Sequence, residues 1–165
     1  MVEKEVCQGK SLEEKMALAE EIAKSYFRVG LNCSECVVRT FLDMYEIDLP
    51  EEVICMATGF GGGMGHTRNT CGAVTGAVMA LGMIKGRKDP RGTREDMPER
   101  TRHLQKEIYP VFGEMVEEMK AHFGTLICAE MAQPFGDWEG KPRKRNCMAT
   151  TAYCAALAVK YAETH

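Results

Sequence analysis

Apolar residues recur at helical spacing along almost the whole chain. Leu12, Met16, Ala19, Ile22, Ala23 and Tyr26 fall on one face, as the buried side of a helix requires. Ser11-Leu12-Glu13-Glu14 reads as a capping box, with Ser11 at the cap and Glu14 reaching back. Gly30 is a natural stop, because glycine accepts a left-handed conformation. Asn32 restarts the chain, Glu35 completes a second capping box, and Val37, Phe41 and Met44 carry the inner face. Asp48-Leu49-Pro50 opens a short third helix ending near Thr58.

The stretch Gly59-Phe60-Gly61-Gly62-Gly63-Met64-Gly65 cannot be the interior of a regular element, since so many glycines cost too much entropy. A helix of small residues is predicted from Cys71 to about Met83, then a charged loop from Gly86 to Thr93. A long amphipathic segment begins near Asp96, with Pro98 in its first turn. Its stripe is Met97, Leu104, Ile108, Val111, Met115 and Phe123, and Pro110 predicts a kink or break. Gly124 ends it, and a short helix carries Cys128 and Met131. Gln133 to Arg145 reads as irregular, and a last helix as running from about Asn146 to Glu163. No segment alternates as a strand would. The pattern predicts an all-α fold. It is a single-domain helical bundle over residues 1–165, with residues 1–10 as a mobile lead and a glycine-rich loop preceding a central small-residue helix.

Composition narrows the function. A net charge of −3 argues against a nucleic-acid binder. Met1-Val2-Glu3-Lys4-Glu5 has no apolar core of the secretory kind, and no run of about 18 apolar residues suggests a membrane span. A soluble, cytoplasmic protein is expected, and its apolar surface would allow a homodimer. In that compartment eight cysteines point to metal or catalytic thiols more than to structural disulfides.

Four of those cysteines stand where helices are expected to begin. Asn32 precedes Cys33, Thr70 precedes Cys71, Asn146 precedes Cys147, and Thr125 stands three residues before Cys128. A thiol at a helix start feels the positive end of the dipole, so its pKa is expected to fall. Thiolate is the form that attacks disulfides and binds metal. Cys55, in an apolar stretch, and Cys154, deep in an alanine-rich helix, read as small buried hydrophobes. Cys7 takes no assignment.

Gly72 and Gly76 share one helix face, so a backbone or a bulky cofactor is expected to approach closely there. Plain helix packing explains the same pair. The glycine loop, with Gly61, Gly62 and Gly63, fits neither the dinucleotide fingerprint nor a P-loop, so no nucleotide is expected. Its amides could instead point at cluster or cysteine sulfur. Cys33-Ser34-Glu35-Cys36 has thioredoxin-type spacing without the surrounding fold, and equally suits two ligands of one metal. Val37 follows where a haem attachment site needs histidine, so no haem is expected. His66 and Arg68 flank the glycine loop as ligand, proton donor, anion contact or merely an exposed pair. His103 and His122 read as solvated. The basic run Lys141-Pro142-Arg143-Lys144-Arg145 either favours a thiolate at Cys147 or is a solvated loop.

Taken together, several segments carry a resemblance. These are Gly30-Leu31-Asn32-Cys33, the run from Ala57 to Gly65, Cys71-Gly72-Ala73-x-x-Gly76, Phe123-Gly124 with Cys128, and Cys147. The chain resembles the C-GCAxxG-C-C family of redox-active proteins, although it reads Cys71-Gly72-Ala73 where the family label has Gly-Cys-Ala. The resemblance implies a redox protein whose four characteristic cysteines are Cys33, Cys71, Cys128 and Cys147, the same four that the capping argument selects. Cys7, Cys36, Cys55 and Cys154 are then extras.

Three chemistries follow. Four thiolates complete the ligand set of an iron–sulfur centre for electron transfer. Two thiol pairs could cycle through disulfides, with Cys71 as the nucleophile. A structural zinc site without catalysis is the third. None of them names the electron donor or acceptor.

Overall fold

The computed structural model describes residues 2–91 and 97–165. Ser11 caps α1 (Leu12–Arg28), with its hydroxyl accepting from the Glu14 N–H at 3.2 Å and the Glu14 carboxylate accepting from the Ser11 N–H at 2.7 Å. Asn32 caps α2 (Cys33–Met44) in the same reciprocal way with Glu35. Both boxes satisfy donors that a first helical turn otherwise leaves bare. A 3₁₀ helix follows at Glu51–Phe60, then α3 (Gly72–Lys85).

Next come α4 (Met97–His103), a π-helical turn at Leu104–Ile108, and α5 (Tyr109–Phe123). The Asp96 start and the Gly92-Thr93 end of the preceding loop lie outside the described residues. The kink expected at Pro110 takes the form of that π turn. The Tyr109 N–H reaches back to the Leu104 carbonyl. The wider turn carries the helix past a residue that has no N–H to donate. Gly124, at φ 78°, ends α5 in the left-handed conformation, and α6 (Cys128–Ala132) follows.

The last helix, α7 (Lys141–Thr164), starts earlier than the sequence reading placed it. Gly140 is its cap and Pro142 sits in its first turn, so only the residues up to Gly140 are irregular or 3₁₀. Proline is preorganised for a first turn, and this overrides the breaker reading of the Gly-Pro stretch.

Helices α1, α2, α3 and α7 form the central bundle, and α1 lies along α7 in the most extensive contact. Ala19 and Ala23 on α1 and Ala155, Ala158 and Ala162 on α7 are buried small residues of one core cluster. Phe41, Met44, Leu81 and Met115 fill the core. The architecture is mainly α. One short exception is an antiparallel pair of two-residue strands, β1 (Val2–Glu3) and β2 (Tyr45–Glu46). It corrects the expectation of no strand, and Cys7 behind it is fully buried. Among the described residues no helix is long and apolar enough to cross a membrane.

Candidate functional site

Cys33, Cys71, Cys128 and Cys147 line one cavity, with Ala73, Met131, Ala132, Asn146 and Thr150 completing its wall. The open volume is about 10 Å³, room for roughly one water-sized atom. Each of the four thiols lies within electrostatic reach of the other three. No carboxylate or imidazole stands in the lining, whose other polar side chains are Asn146 and Thr150.

Close packing and a strand-like crossing bring these four together. A Cβ on Gly76 would lie 2.8 Å from the Ser34 Cα, so only glycine lets α3 approach the start of α2 this closely. That contact sets Cys71 near Cys33 and supports the packing reading of Gly72 and Gly76. A Cβ on Gly72 would meet the Phe60 carbonyl at 2.7 Å. Thr70 and Ile127 then pair as an antiparallel bridge. The Cys71 N–H donates to the Leu126 carbonyl at 2.8 Å, and the Cys128 N–H to the Asn69 carbonyl at 2.7 Å. Two cysteines far apart in sequence become neighbours. The Asn146 amide donates to the Met131 carbonyl at 3.3 Å, tying α7 and with it Cys147 to α6.

The capping argument selected these four for reasons the structure partly corrects. Asn32 does cap the helix that Cys33 opens. Cys71 is itself the N-cap of α3, in place of Thr70, and Cys128 follows Ile127 at the start of α6. The Thr125 hydroxyl accepts from the Ile127 N–H at 3.1 Å and donates to Glu130, so it fixes the turn before α6. Cys147 sits in the second turn of α7 because that helix begins at Lys141, and Asn146 caps nothing. Three of the four thiols therefore stand at helix starts.

The expected fall in thiol pKa is also corrected. Burial pushes Cys33 up to about 12, with Cys71 and Cys147 adding to the rise. Burial likewise pushes Cys71 and Cys128 up to about 11. The Ala73 and Val74 amides face the Cys71 sulfur and pull its pKa down, though neither reaches capping hydrogen-bond geometry. Arg143 and Arg68 pull Cys128 the same way. Desolvation of the charged form outweighs the helix dipole here.

Much of the glycine loop is held by its own backbone hydrogen bonds. Gly62, Gly63, Met64, Gly65 and His66 run consecutively at φ between 61° and 74°. The N–H groups of residues 64–69 all donate to backbone carbonyls of Gly59 to Met64, and the Gly61 N–H donates to the Thr58 carbonyl at 3.5 Å. A Cβ on Gly63 would sit 2.8 Å from the Arg68 backbone. Gly61 lies against the Asn32 side chain and, with Gly62, lines a separate open cleft.

The remaining cysteines stay outside the cavity. Cys36 is fully buried and its thiol donates to the Leu31 carbonyl at 3.5 Å. Cys154 is buried as expected, 3.9 Å from the Met119 sulfur. Cys55 is exposed, against expectation, because the 3₁₀ helix turns Val53, Ile54 and Ala57 toward Val38 and Leu42 instead.

Sequence reasoning missed Trp138. His66 meets its ring edge-on, with centroids 5.5 Å apart, and the Arg68 and Arg143 guanidiniums lie 4.3 and 4.6 Å from its centroid. Arg143 donates through Nη1 to the Cys147 sulfur at 3.5 Å and through Nε to the Trp138 carbonyl at 2.5 Å. The available signal was a single tryptophan between glycines, just before the basic run.

Among the described residues no three Cys, His, Asp or Glu side chains surround a point where one metal ion could sit. No curated protein and no solved structure matches the chain. A family model described as "Putative redox-active protein (C_GCAxxG_C_C)" matches residues 31–161, and with the four thiols drawn to one cavity the chain belongs to that family.

Proposed function

We propose that Cys33, Cys71, Cys128 and Cys147 hold an iron–sulfur centre and that the protein transfers electrons through it. The observation carrying this reading is the convergence of four thiols on one cavity whose lining has no carboxylate or imidazole. An all-thiolate set suits iron and sulfide. A two-iron centre asks only two thiolates of each iron, so it needs no point shared by three side chains. The void now open among the sulfurs is narrower than a cluster, so loading has to spread the four side chains.

Charge supports the same assignment. An oxidised two-iron centre with four thiolates carries a net charge of about −2. The starts of α2 and α3 supply roughly half a positive charge each, and Arg143 beside Cys147 a whole one. Such a centre supplies one-electron chemistry when bound. The chain's own part is to fix the four sulfurs, to keep water away and to offer N–H donors. Cys71 and Cys128 are 7 % and 8 % exposed. The Ala73 and Val74 amides favour negative charge on Cys71, and the Arg143 guanidinium donates to the Cys147 sulfur. Thiol–disulfide exchange with a protein substrate has less support, since Cys71, its nucleophile, is buried and its thiol is held up at about 11.

Anaerobic reconstitution with ferrous iron and sulfide tests the reading. The expected result is visible charge-transfer absorption and near-stoichiometric iron and sulfide. Replacing any of the four cysteines by alanine should abolish both, while Cys55→Ala should leave them intact. A colourless protein whose thiols oxidise pairwise would move the function to disulfide chemistry. Zinc bound without iron would move it to a structural site.

A further inference from the structure

A cleft of about 380 Å³ opens beside the thiol cavity, and Cys33 belongs to the lining of both. That volume lies within the range of small-molecule sites. Its lining joins the apolar side chains of Phe27 and Leu31 to the polar groups of Thr58, His66 and Arg143.

Arg143 gives the cleft its chemistry. A guanidinium has five N–H donors. Arg143 uses one on the Trp138 carbonyl and one on the Cys147 sulfur. Among the described residues no carboxylate pairs with Arg143 or with Arg68, the second cation lying over Trp138. The acidic group beside the cleft, Glu35, is already engaged, accepting from the Asn32 N–H at 2.9 Å and the Thr58 hydroxyl at 2.7 Å. Cationic donors thus remain open on the wall of a concave site.

The loop braces the wall that carries His66 and Arg143. His66 and Arg68 stand at φ 67° and 66°, where side-chain-bearing residues are rare. Strain of this kind collects at ligand sites. Here it aims both side chains at Trp138, whose carbonyl holds Arg143 in place.

We propose that this cleft binds a small organic anion, a carboxylate with a compact apolar body, whose charge rests on Arg143 and whose body lies against Phe27 and Leu31. Arg143 also touches Cys147, so the ligand is sensed at the thiol cluster. This coupling rests on the redox reading above, whereas the binding itself needs no metal.

The test uses reduced, metal-free protein near neutral pH and the fluorescence of Trp138, the chain's single tryptophan. Benzoate is the probe and benzamide its uncharged counterpart, with saturation-transfer NMR on both ligands as a second readout. Benzoate should bind saturably, and benzamide roughly tenfold more weakly or worse. Arg143→Gln should bring benzoate down to the benzamide level, and Arg143→Lys should lie between. Lys144→Gln, a basic neighbour whose ammonium pairs with Glu139 at 3.4 Å, should change nothing. Equal binding of the two probes overturns the proposal, as does an equal loss in Lys144→Gln. If Arg143→Gln does not fold, the two probes on the unaltered protein still decide. A protein that fails to load iron leaves this titration readable, and failed binding leaves the iron assay untouched.

Discussion

The two ends of the bundle each bury a cluster of polar side chains, and they complete it to different degrees. Where α1 begins and α7 finishes, the Lys15 ammonium is held by Glu3 and by Glu163 at 2.9 Å, and the Tyr45 hydroxyl donates to Glu163 at 2.9 Å. Burial works against the charge on Lys15, yet the two carboxylates outweigh it and its pKa is raised. Every charge there has its partner. At the other end burial pushes three thiols up and little compensates. A closed network can only hold the fold together. Four soft donors that face one another, met by the Ala73 and Val74 amides at Cys71 and by the Arg143 guanidinium at Cys147, keep the ligating capacity that the proposed function needs.

The comparison breaks most visibly at Lys15. Lys15→Ala leaves two carboxylates facing each other without their cation, and removing one partner of a buried pair costs about 3–5 kcal/mol. Cys71→Ala in metal-free protein removes a small buried group that no charge depends on and should cost about 1 kcal/mol. Urea unfolding of the two variants, both without metal, measures the contrast. Similar losses would show that the thiol end is as closed a network as the other.

A smaller effect separates glycines needed for close approach from those that are not. Gly76→Ala puts a methyl 2.8 Å from the Ser34 Cα and should cost about 1–3 kcal/mol by overpacking. It should also lower iron loading, because it pushes Cys71 away from Cys33. Gly113→Ala, on α5 with nothing within 4 Å of the added carbon, should instead stabilise by up to about 1 kcal/mol. Urea midpoints and iron content read both. Two changes of the same sign would remove the close approach of α3 to the start of α2 from the account of the site.

The features read correctly from sequence are those carried by a few adjacent residues. Ser11 with Glu14, Asn32 with Glu35, and Gly124 each mark a helix end through local hydrogen bonding or a left-handed φ, and the chain obeys all three. The four cysteines stood out because each follows, directly or within three residues, an Asn or Thr where the sequence predicts a helix start. What brings them together was hidden. The Thr70–Ile127 bridge joins distant segments, and no local pattern announces it. Cys55 faces solvent because a 3₁₀ helix repeats near three residues, which turns a different face inward. The sign of the thiol pKa shifts depends on burial, which the dipole argument leaves out. Trp138 gained its meaning only when a loop and the first turn of α7 folded against it.

The smallest expected effect sharpens the comparison by asking what a closed network contributes when it is left partly in water. Glu118 on α5 accepts from Lys160 at 2.9 and 3.0 Å and from the Tyr161 hydroxyl at 2.9 Å, with its side chain 36 % exposed. Burial pulls its pKa upward, but the hydrogen bonds from Lys160 and Tyr161 prevail and hold it below the ordinary 4.5. A carboxyl lowered in the folded state stabilises it above the unfolded pKa, and that contribution disappears as pH falls through the folded one. Urea midpoints taken between about pH 6 and 3 should therefore fall more steeply for the unaltered protein than for Glu118→Gln. The gap at neutral pH should be about 0.5–1 kcal/mol, the scale of exposed ion pairs and well below the Lys15 effect. Parallel curves would mean that water already satisfies this carboxylate, and that burial rather than pairing sets the Lys15 network apart.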